Sequence, residues 1–123
     1  MKIKPGKNIA LKIPSNEFEA TVEFYREVLQ LESLGIADDG AIGFDFDGKD
    51  LWLDRVPSLS KAEMWLEVRT DDLDSAAKHF SEHDIVRCDE VEPLPEGFRG
   101  FWIKNPASIV HLVSELGGSS VGE

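Results

Sequence analysis

The feature of the sequence that most constrains its fold is an internal repeat of one strand, one helix and three strands. Residues 8–13 alternate apolar with polar or small side chains, which is the period-two pattern of a half-buried strand. Residues 16–30 change to helical spacing, with an apolar face formed by Phe18, Val22, Tyr25 and Leu29. Three strand-like runs follow, at residues 32–37, 41–46 and 50–56.

The second half of the chain repeats this order. Residues 64–69 alternate like a strand, and residues 71–84 have helical spacing with acidic side chains in the first turn, where the helix dipole favours them. Three more strands are predicted, at residues 85–92, 100–104 and 109–115. Two copies of β-α-β-β-β predict an α+β fold built from two tandem modules, because a duplicated unit constrains topology more than any single element does.

Local signals divide these elements. Asp47-Gly48 lies between two alternating runs, and Asp-Gly at such a place predicts a β-hairpin. Asn16 followed by Glu19 has the spacing of a capping box at the start of the first helix. We therefore expect a single domain with a first module at about 7–56, a linker at 57–63, a second module at about 64–116 and a flexible tail at 117–123.

The charge of the chain narrows its partners. Thirteen basic and 24 acidic residues give a formal net charge of −11 among 123 residues, which argues against binding to nucleic acid or to an anionic membrane surface. An acidic surface of this kind is also common in bacterial proteins and decides nothing by itself. The single cysteine, Cys88, forms no internal disulfide, and no stretch resembles a signal peptide or a membrane span, so we expect a cytoplasmic protein.

Three segments in order resemble the vicinal oxygen chelate superfamily, which contains glyoxalases, bleomycin-resistance proteins and ring-cleaving dioxygenases. They are NIALKIP…FYREVLQLE, WLEVRTDDLDSAAKHF and GFWIKNPASIVHLVSE, and together they cover residues 8–115. The resemblance implies that the two modules form a cup of curved sheet with the helices outside. It also implies a metal site in those members that hold one, at positions corresponding to Asn8, Trp52, Trp65 and His111.

The sequence departs from the family pattern at three of these four positions. Indole does not ligate metals, and the neutral amide of Asn8 is a poor ligand for a transition metal. Only His111 is a residue of the expected type. We therefore expect no metal and no other cofactor, with a divalent metal as the alternative, and we interpret His111 as a polar group facing a ligand.

Strand alternation predicts which side chains share a face. If the apolar positions of each strand, including Val110 and Leu112, pack under the helices, their neighbours face the other way. The residues expected to bind a ligand on that second face are Asn8, Asp45, Trp52, Asp54, Trp65, Glu67, Trp102 and His111. An alternative is that the tryptophans only fill space or form a dimer interface.

These expectations lead to a functional hypothesis with two alternatives. The first is a metal-free protein that binds a small aromatic or cationic compound in an acidic, tryptophan-lined cup. The second is a metal-dependent lyase, isomerase or dioxygenase with a divergent ligand set, and the third is an interaction domain whose cup is closed. No nucleophile elbow or phosphate-binding loop is present, so the sequence gives no positive evidence for catalysis.

Two further expectations concern assembly and the other histidines. Curved sheets with exposed edges invite pairing, and relatives of this size are commonly dimers, so we expect a homodimer. His79 and His83 are four residues apart on the second predicted helix, a spacing that suits chelation of a metal ion. Since no third ligand is evident from the sequence, we interpret them as a solvated surface pair.

Overall fold

A computed structural model describes residues 1–116, so the predicted tail lies outside the described residues. The chain divides into two compact units. The first unit is Lys7–Trp65, and the second contains Met1–Gly6 and the described residues from Leu66 onward. The elements in chain order are β1 (Ile3–Pro5), β2 (Asn8–Ile13), α1 (Ser15–Glu23), β3 (Ser33–Ile36), β4 (Ile42–Phe46), β5 (Lys49–Arg55), β6 (Glu63–Thr70), α2 (Leu73–Glu82), β7 (Gly100–Lys104) and β8 (Val110–Glu115).

The first unit has the predicted β-α-β-β-β order. Its strands lie in the order β3-β4-β5-β2, and the first residues of β6 pair with the other side of β2. Strands β2 and β5 are parallel, whereas the β3–β4 and β4–β5 pairs are antiparallel. The α1 helix buries Phe18 and Val22 against one face of this sheet, where the core side chains are Ile13, Phe44, Leu51 and Leu53.

The β4–β5 connection is the predicted hairpin. Phe46 pairs with Lys49, which leaves Asp47 and Gly48 as a two-residue loop. Both loop residues have positive φ, 53° and 84°. A two-residue turn with this backbone matches the right-handed twist of the two strands, and Asp-Gly is the sequence that adopts it most readily.

The predicted capping box at the start of α1 is wrong. The helix begins at Ser15, one residue earlier than predicted, and Pro14 occupies the capping position without a side-chain hydrogen bond. Proline favours an early start, because its φ is fixed and it can precede the first helical residue without losing a donor. The end of the helix also differs, since Phe24–Val28 forms a π-helical turn in which the N–H of Leu29 donates to the carbonyl oxygen of Phe24.

The second unit has the same arrangement with one strand missing. Strands β6 and β8 are parallel, β7 is antiparallel to β8, and β1, which was not predicted, pairs with β6. The α2 helix covers one face of this sheet, where the core side chains are Ala76, Phe101, Ile103 and Val113. Asp72 caps the helix by accepting a hydrogen bond from the N–H of Ser75. The α+β class is therefore confirmed in both units.

The strand predicted at residues 85–92 is wrong. Only Arg87 pairs, in an isolated bridge to Ile103, and Asp89–Val91 forms a short 3-10 turn. A side chain replaces the missing ladder: Asp89 Oδ1 accepts the backbone N–H of Trp102 at 3.0 Å. The Asp side chain competes with regular pairing, because a short carboxylate reaches neighbouring backbone donors.

No helix among residues 1–116 is long and apolar enough to cross a membrane. The two α-helices have nine and ten residues.

Candidate functional site

The strand register places five side chains on the face of the first unit's sheet opposite α1. Asn8 and Lys12 of β2 are in register with Asp50 and Asp54 of β5, while Ala10 pairs with Trp52 on one side and Trp65 on the other. Partners in register point to the same side of a sheet. We call this surface the tryptophan face and define it by Asn8, Lys12, Trp52, Asp54 and Trp65. The predicted alternation of strands β2 and β5 is confirmed.

A buried ion pair lies on the tryptophan face. The Nζ of Lys12 is 2.7 Å from Oδ2 of Asp54, and the two side chains are 6% and 19% exposed. The same Nζ lies 4.4 Å from the ring centroid of Trp65, within the distance of a cation–π contact. Trp65 itself is half-buried, and its Nε1 donates to Oε1 of Glu63 at 3.2 Å. Lys12 itself therefore supplies a cation beside the indole ring and the carboxylate that were predicted to attract a cationic ligand.

The Trp52 side chain is fixed in place by two neighbours. Its Nε1 donates to Oδ1 of Asn8 at 2.9 Å, and only 9% of the residue is exposed. Its ring lies against Gly43 on β4, where a Cβ atom would come within 2.6 Å of the ring carbon Cζ3. Glycine at this position leaves room for the indole. Trp52 and Asn8 therefore form one preorganised aromatic and polar surface.

The remaining acids predicted for this face have local partners. Asp45 is in register with Asp50, but its Oδ1 accepts the backbone N–H of Gly48 and so belongs to the hairpin turn. Asp50 pairs with Lys7 at 3.6 Å. Lys7 and Lys12 therefore offset the charges of Asp50 and Asp54, whereas Asp45 serves the hairpin turn.

Three predicted site residues belong to the second unit, and two of them lie on the face opposite α2. Glu67 and Trp102 are both in register with Leu112. Trp102 is 5% exposed, and its Nε1 donates to the carbonyl oxygen of Glu92 at 2.9 Å. Glu67 is 6% exposed, and its carbonyl oxygen accepts the N–H of Gly6. Both side chains have the predicted orientation relative to their own helix.

The predicted orientation of His111 is wrong. His111 is in register with Leu66 and Ile103, and Ile103 belongs to the core under α2. His111 therefore lies on the helix side of its sheet, and its Nδ1 is 3.0 Å from the carbonyl oxygen of Ile109. Val110 and Leu112, expected under the helix, lie on the opposite side.

The residues at the family's metal positions do not fit a metal ion. Among residues 1–116, no group of three or more His, Cys, Asp or Glu side chains is placed to hold one. Trp52 and Trp65 offer no lone pair, and the amide oxygen of Asn8 accepts the indole N–H of Trp52. Among these four positions only His111 is a strong donor, and it lies on the helix side of its own sheet.

A groove of 640 Å³ lies on the α1 side of the first unit, away from the tryptophan face. Its lining is mostly apolar or small and consists of Leu11, Ile13, Asn16, Glu17, Ala20, Thr21, Tyr25, Ala62, Glu63 and Met64. No pattern in the sequence predicted this groove. The one available signal was the pair of small residues, Ala20 and Thr21, on the exposed side of the predicted helix.

Comparison with known proteins bears on the fold. No protein-family model and no curated protein sequence matches the chain. A hypothetical protein from Bacillus halodurans C-125 superposes with a TM-score of 0.66 at 13% identity, over 98% of this chain and 99% of that one. A glyoxalase/bleomycin resistance protein/dioxygenase superfamily member from Vibrio splendidus 12B01 gives 0.59 at 16% identity, over 93% and 97% of the two chains. The chain has the vicinal oxygen chelate fold.

Enzymes are also among the structures with this fold. A Mn(II)-bound glyoxalase from Novosphingobium aromaticivorans matches with a TM-score of 0.66 at 18% identity. The match covers 93% of this chain but only 39% of the glyoxalase. At this level of identity, likeness establishes the vicinal oxygen chelate fold alone, and the function has to be argued from the site.

Proposed function

We propose that this protein binds a small, neutral, planar aromatic compound on the tryptophan face, without a metal. The observation that carries the proposal is the pair of fixed indoles, Trp52 and Trp65, on one face beside the Lys12–Asp54 ion pair. Indole rings held by hydrogen bonds lose little freedom when a flat ligand stacks on them. Ligand sites typically combine such apolar surface with a few placed polar groups.

The geometry favours an aromatic over a cationic ligand. A ring that already has an ammonium group 4.4 Å from its centroid has less to gain from a second cation on the same side. Asp54, which would otherwise attract a cation, is 2.7 Å from Lys12 and neutralised by it. A neutral aromatic ring needs neither charge and gains about 0.5–1.5 kcal/mol from each good contact with an indole.

The metal-dependent alternative requires metal-donor atoms at the positions where the resemblance implies ligands. On the tryptophan face these positions hold two indoles, Trp52 and Trp65, and the amide of Asn8, whose oxygen already accepts the N–H of Trp52. Elemental analysis of protein purified without chelators tests it. One equivalent of a divalent metal, lost on Asn8→Ala, would support the alternative and contradict our proposal.

Titration of tryptophan emission with two ligands of the same shape tests the proposed ligand class. Quinoline is a neutral flat bicycle, and N-methylquinolinium is its cationic counterpart. We expect quinoline to perturb the emission saturably and the cation to bind no more tightly. Binding of the cation about tenfold more tightly would contradict the inferred ligand class, and failure of both compounds would count against aromatic binding.

Two neighbouring positions on β6 provide a matched pair of variants. Trp65 lies on the tryptophan face, whereas Met64 lies on the other face and is 48% exposed. From the value of one aromatic contact, Trp65→Ala should weaken quinoline binding by about 2- to 10-fold, measured by calorimetry. Met64→Ala should leave it unchanged. Amide shifts confined to Ala20 and Ala62 on titration would instead place the compound in the groove and refute the assignment to the tryptophan face.

A second candidate function is an interaction domain that binds no small molecule. Burial of Trp52 and Trp102, at 9% and 5% exposed, favours it. Aromatic side chains that are already covered have less surface to offer a ligand. A screen in which neither flat aromatic compounds nor cations alter the emission or the melting temperature would support this candidate.

We further propose that the protein is a cytoplasmic homodimer. The edge strand β3 and the π-helical turn expose several apolar side chains, with Val28 67% and Ile36 74% exposed. An uncovered strand edge with apolar neighbours invites pairing with another copy. Light scattering at micromolar concentration tests the assembly, and a mass of one chain would refute it.

A further inference from the structure

A pair of histidines at the end of α2 lies outside the proposed ligand site. His79 and His83 are exposed, and their ring centroids are 4.6 Å apart with the planes inclined at 59°. This inclination differs from the parallel arrangement of stacked rings. Residues four apart on a helix occupy the same face, so both imidazoles project from one side of the last turn. We propose that this pair binds a divalent late transition-metal ion.

The ring separation agrees with two ligands on adjacent corners of a metal ion. An imidazole nitrogen coordinates at about 2.0 Å, and the ring centroid lies about 1.2 Å further from the metal. Two such rings at a right angle have centroids about 4.5 Å apart, whereas a tetrahedral angle separates them by about 5.2 Å. The observed 4.6 Å lies close to these separations, so the two rings are near enough to share one ion. Imidazole suits Ni²⁺, Cu²⁺ and Zn²⁺, and among these ions Cu²⁺ binds nitrogen ligands most tightly.

The backbone fixes the positions of the two histidines on one helical turn before any ion binds. The N–H of His83 donates to the carbonyl oxygens of His79 and Phe80, so the last helical turn extends to the second histidine. Asp84 then has a φ of 60°, and the N–H of Ile85 donates back to the carbonyl oxygen of Phe80 at 2.9 Å. This is the hydrogen-bonded pattern that closes many helices. Because the backbone is already ordered, chelation has to restrict the side chains alone.

The surroundings suit a cation held at the surface. Among residues 1–116, no third His, Cys, Asp or Glu completes a cluster, so water would fill the remaining coordination positions of a bound ion. The formal net charge of −11 attracts cations to the protein as a whole. The site uses residues of α2 and its C-terminal cap alone, so it is independent of the ligand proposed for the tryptophan face.

The site is tested with the full-length protein carrying no histidine tag. Calorimetry in a weakly coordinating buffer measures affinity for Ni²⁺ and Cu²⁺, and the electron paramagnetic resonance spectrum of bound Cu²⁺ reports how many nitrogens coordinate it. We expect one equivalent with two imidazole nitrogens, and tighter binding of Cu²⁺ than of Zn²⁺. A spectrum with one nitrogen or none from imidazole, or no binding, would overturn the proposal.

Variants separate chelation from general attraction of cations. His79→Ala and His83→Ala should each weaken Ni²⁺ binding by about tenfold or more, because the second ligand acts at high effective concentration. Lys78→Ala, which changes the neighbouring exposed charge, should not weaken it. Adding Glu82→His to His83→Ala creates a pair three residues apart and should restore part of the affinity. Equal affinity of the wild type and either histidine variant would rule out the pair as the site.

Discussion

The Lys12–Asp54 ion pair predicts an asymmetric response to mutation. At 2.7 Å, the gross attraction is roughly 6 kcal/mol for an effective dielectric constant of about 20, most of which is offset by the desolvation of both charges. The ammonium side chain is 6% exposed and the carboxylate side chain 19% exposed. Removal of the carboxylate therefore leaves the more deeply buried charge, whereas removal of the ammonium leaves the charge that water reaches.

The sizes of the two effects follow from this difference in exposure. Asp54→Ala should lower the free energy of unfolding by about 3 kcal/mol, at the lower end of the range for broken buried pairs. Lys12→Met keeps most of the aliphatic stem beside Trp65 and should cost about 1 kcal/mol. The double variant removes both charges and should cost about 1 kcal/mol, because no buried charge is left uncompensated. The coupling energy in the cycle is then about 3 kcal/mol.

Urea unfolding followed by tryptophan emission measures all four proteins, with circular dichroism as a second probe of whether the transition is two-state. For a chain of this size, Asp54→Ala should lower the melting temperature by roughly 10 °C. A loss for Lys12→Met equal to or larger than that for Asp54→Ala would refute the argument from exposure. Additive effects in the double variant would show that the two charges are not coupled.

Three further predictions concern single positions. Gly43→Ala would place a Cβ 2.6 Å from Cζ3 of Trp52, so we expect a loss of about 1–3 kcal/mol and a shifted emission maximum, and unchanged emission would contradict the packing. Burial raises the pKa of the Cys88 thiol above its ordinary value of 9.0, so the thiol should resist Ellman's reagent until the protein unfolds. Because the unfolded chain then releases this proton more readily, the free energy of unfolding should fall as the pH rises above 9.0, and it should fall less steeply in Cys88→Ser. The hydrogen bond from the Ser75 N–H lowers the pKa of Asp72, so Asp72→Ala should lower the melting temperature at pH 7. The gap between the melting temperatures of the wild type and the variant should shrink as the pH falls below 3.8, and a constant gap would argue against a charged cap.

The sequence predicted the first unit well because its signals are independent and agree. Alternation in NIALKI and DLWLDRV fixed the phase of β2 and β5, since Ile9, Leu11 and Ile13 form one apolar set in the first run and Leu51 and Leu53 form one in the second. The Asp47-Gly48 turn fixed the register of the next strand pair. These two signals suffice to place Asn8, Trp52 and Asp54 on one face, and Trp65 follows from the alternation of β6.

Other features depend on contacts that no local pattern encodes. The run 85–92 has the composition of a strand, but its Asp89 side chain bonds to the backbone of Trp102, thirteen residues later in the chain. The partners of the predicted site acids were also unpredictable. Whether Asp54 faces a ligand or Lys12 depends on the side-by-side pairing of β2 and β5, strands far apart in the sequence.

The error at His111 has a specific physical origin with a consequence for function. In IVHLVSE, the residues on both sides of the strand are apolar, so period two does not distinguish the phase containing Val110 and Leu112 from the one containing Val113. Pairing with β7 selects the second phase, because Val113 meets Phe101 under α2. A strand buried on both faces is expected to read as continuously apolar. The histidine at a position where the resemblance implies a metal ligand therefore lies on the helix side of its own sheet, and it does not join Glu67 and Trp102 on the face predicted to meet a ligand.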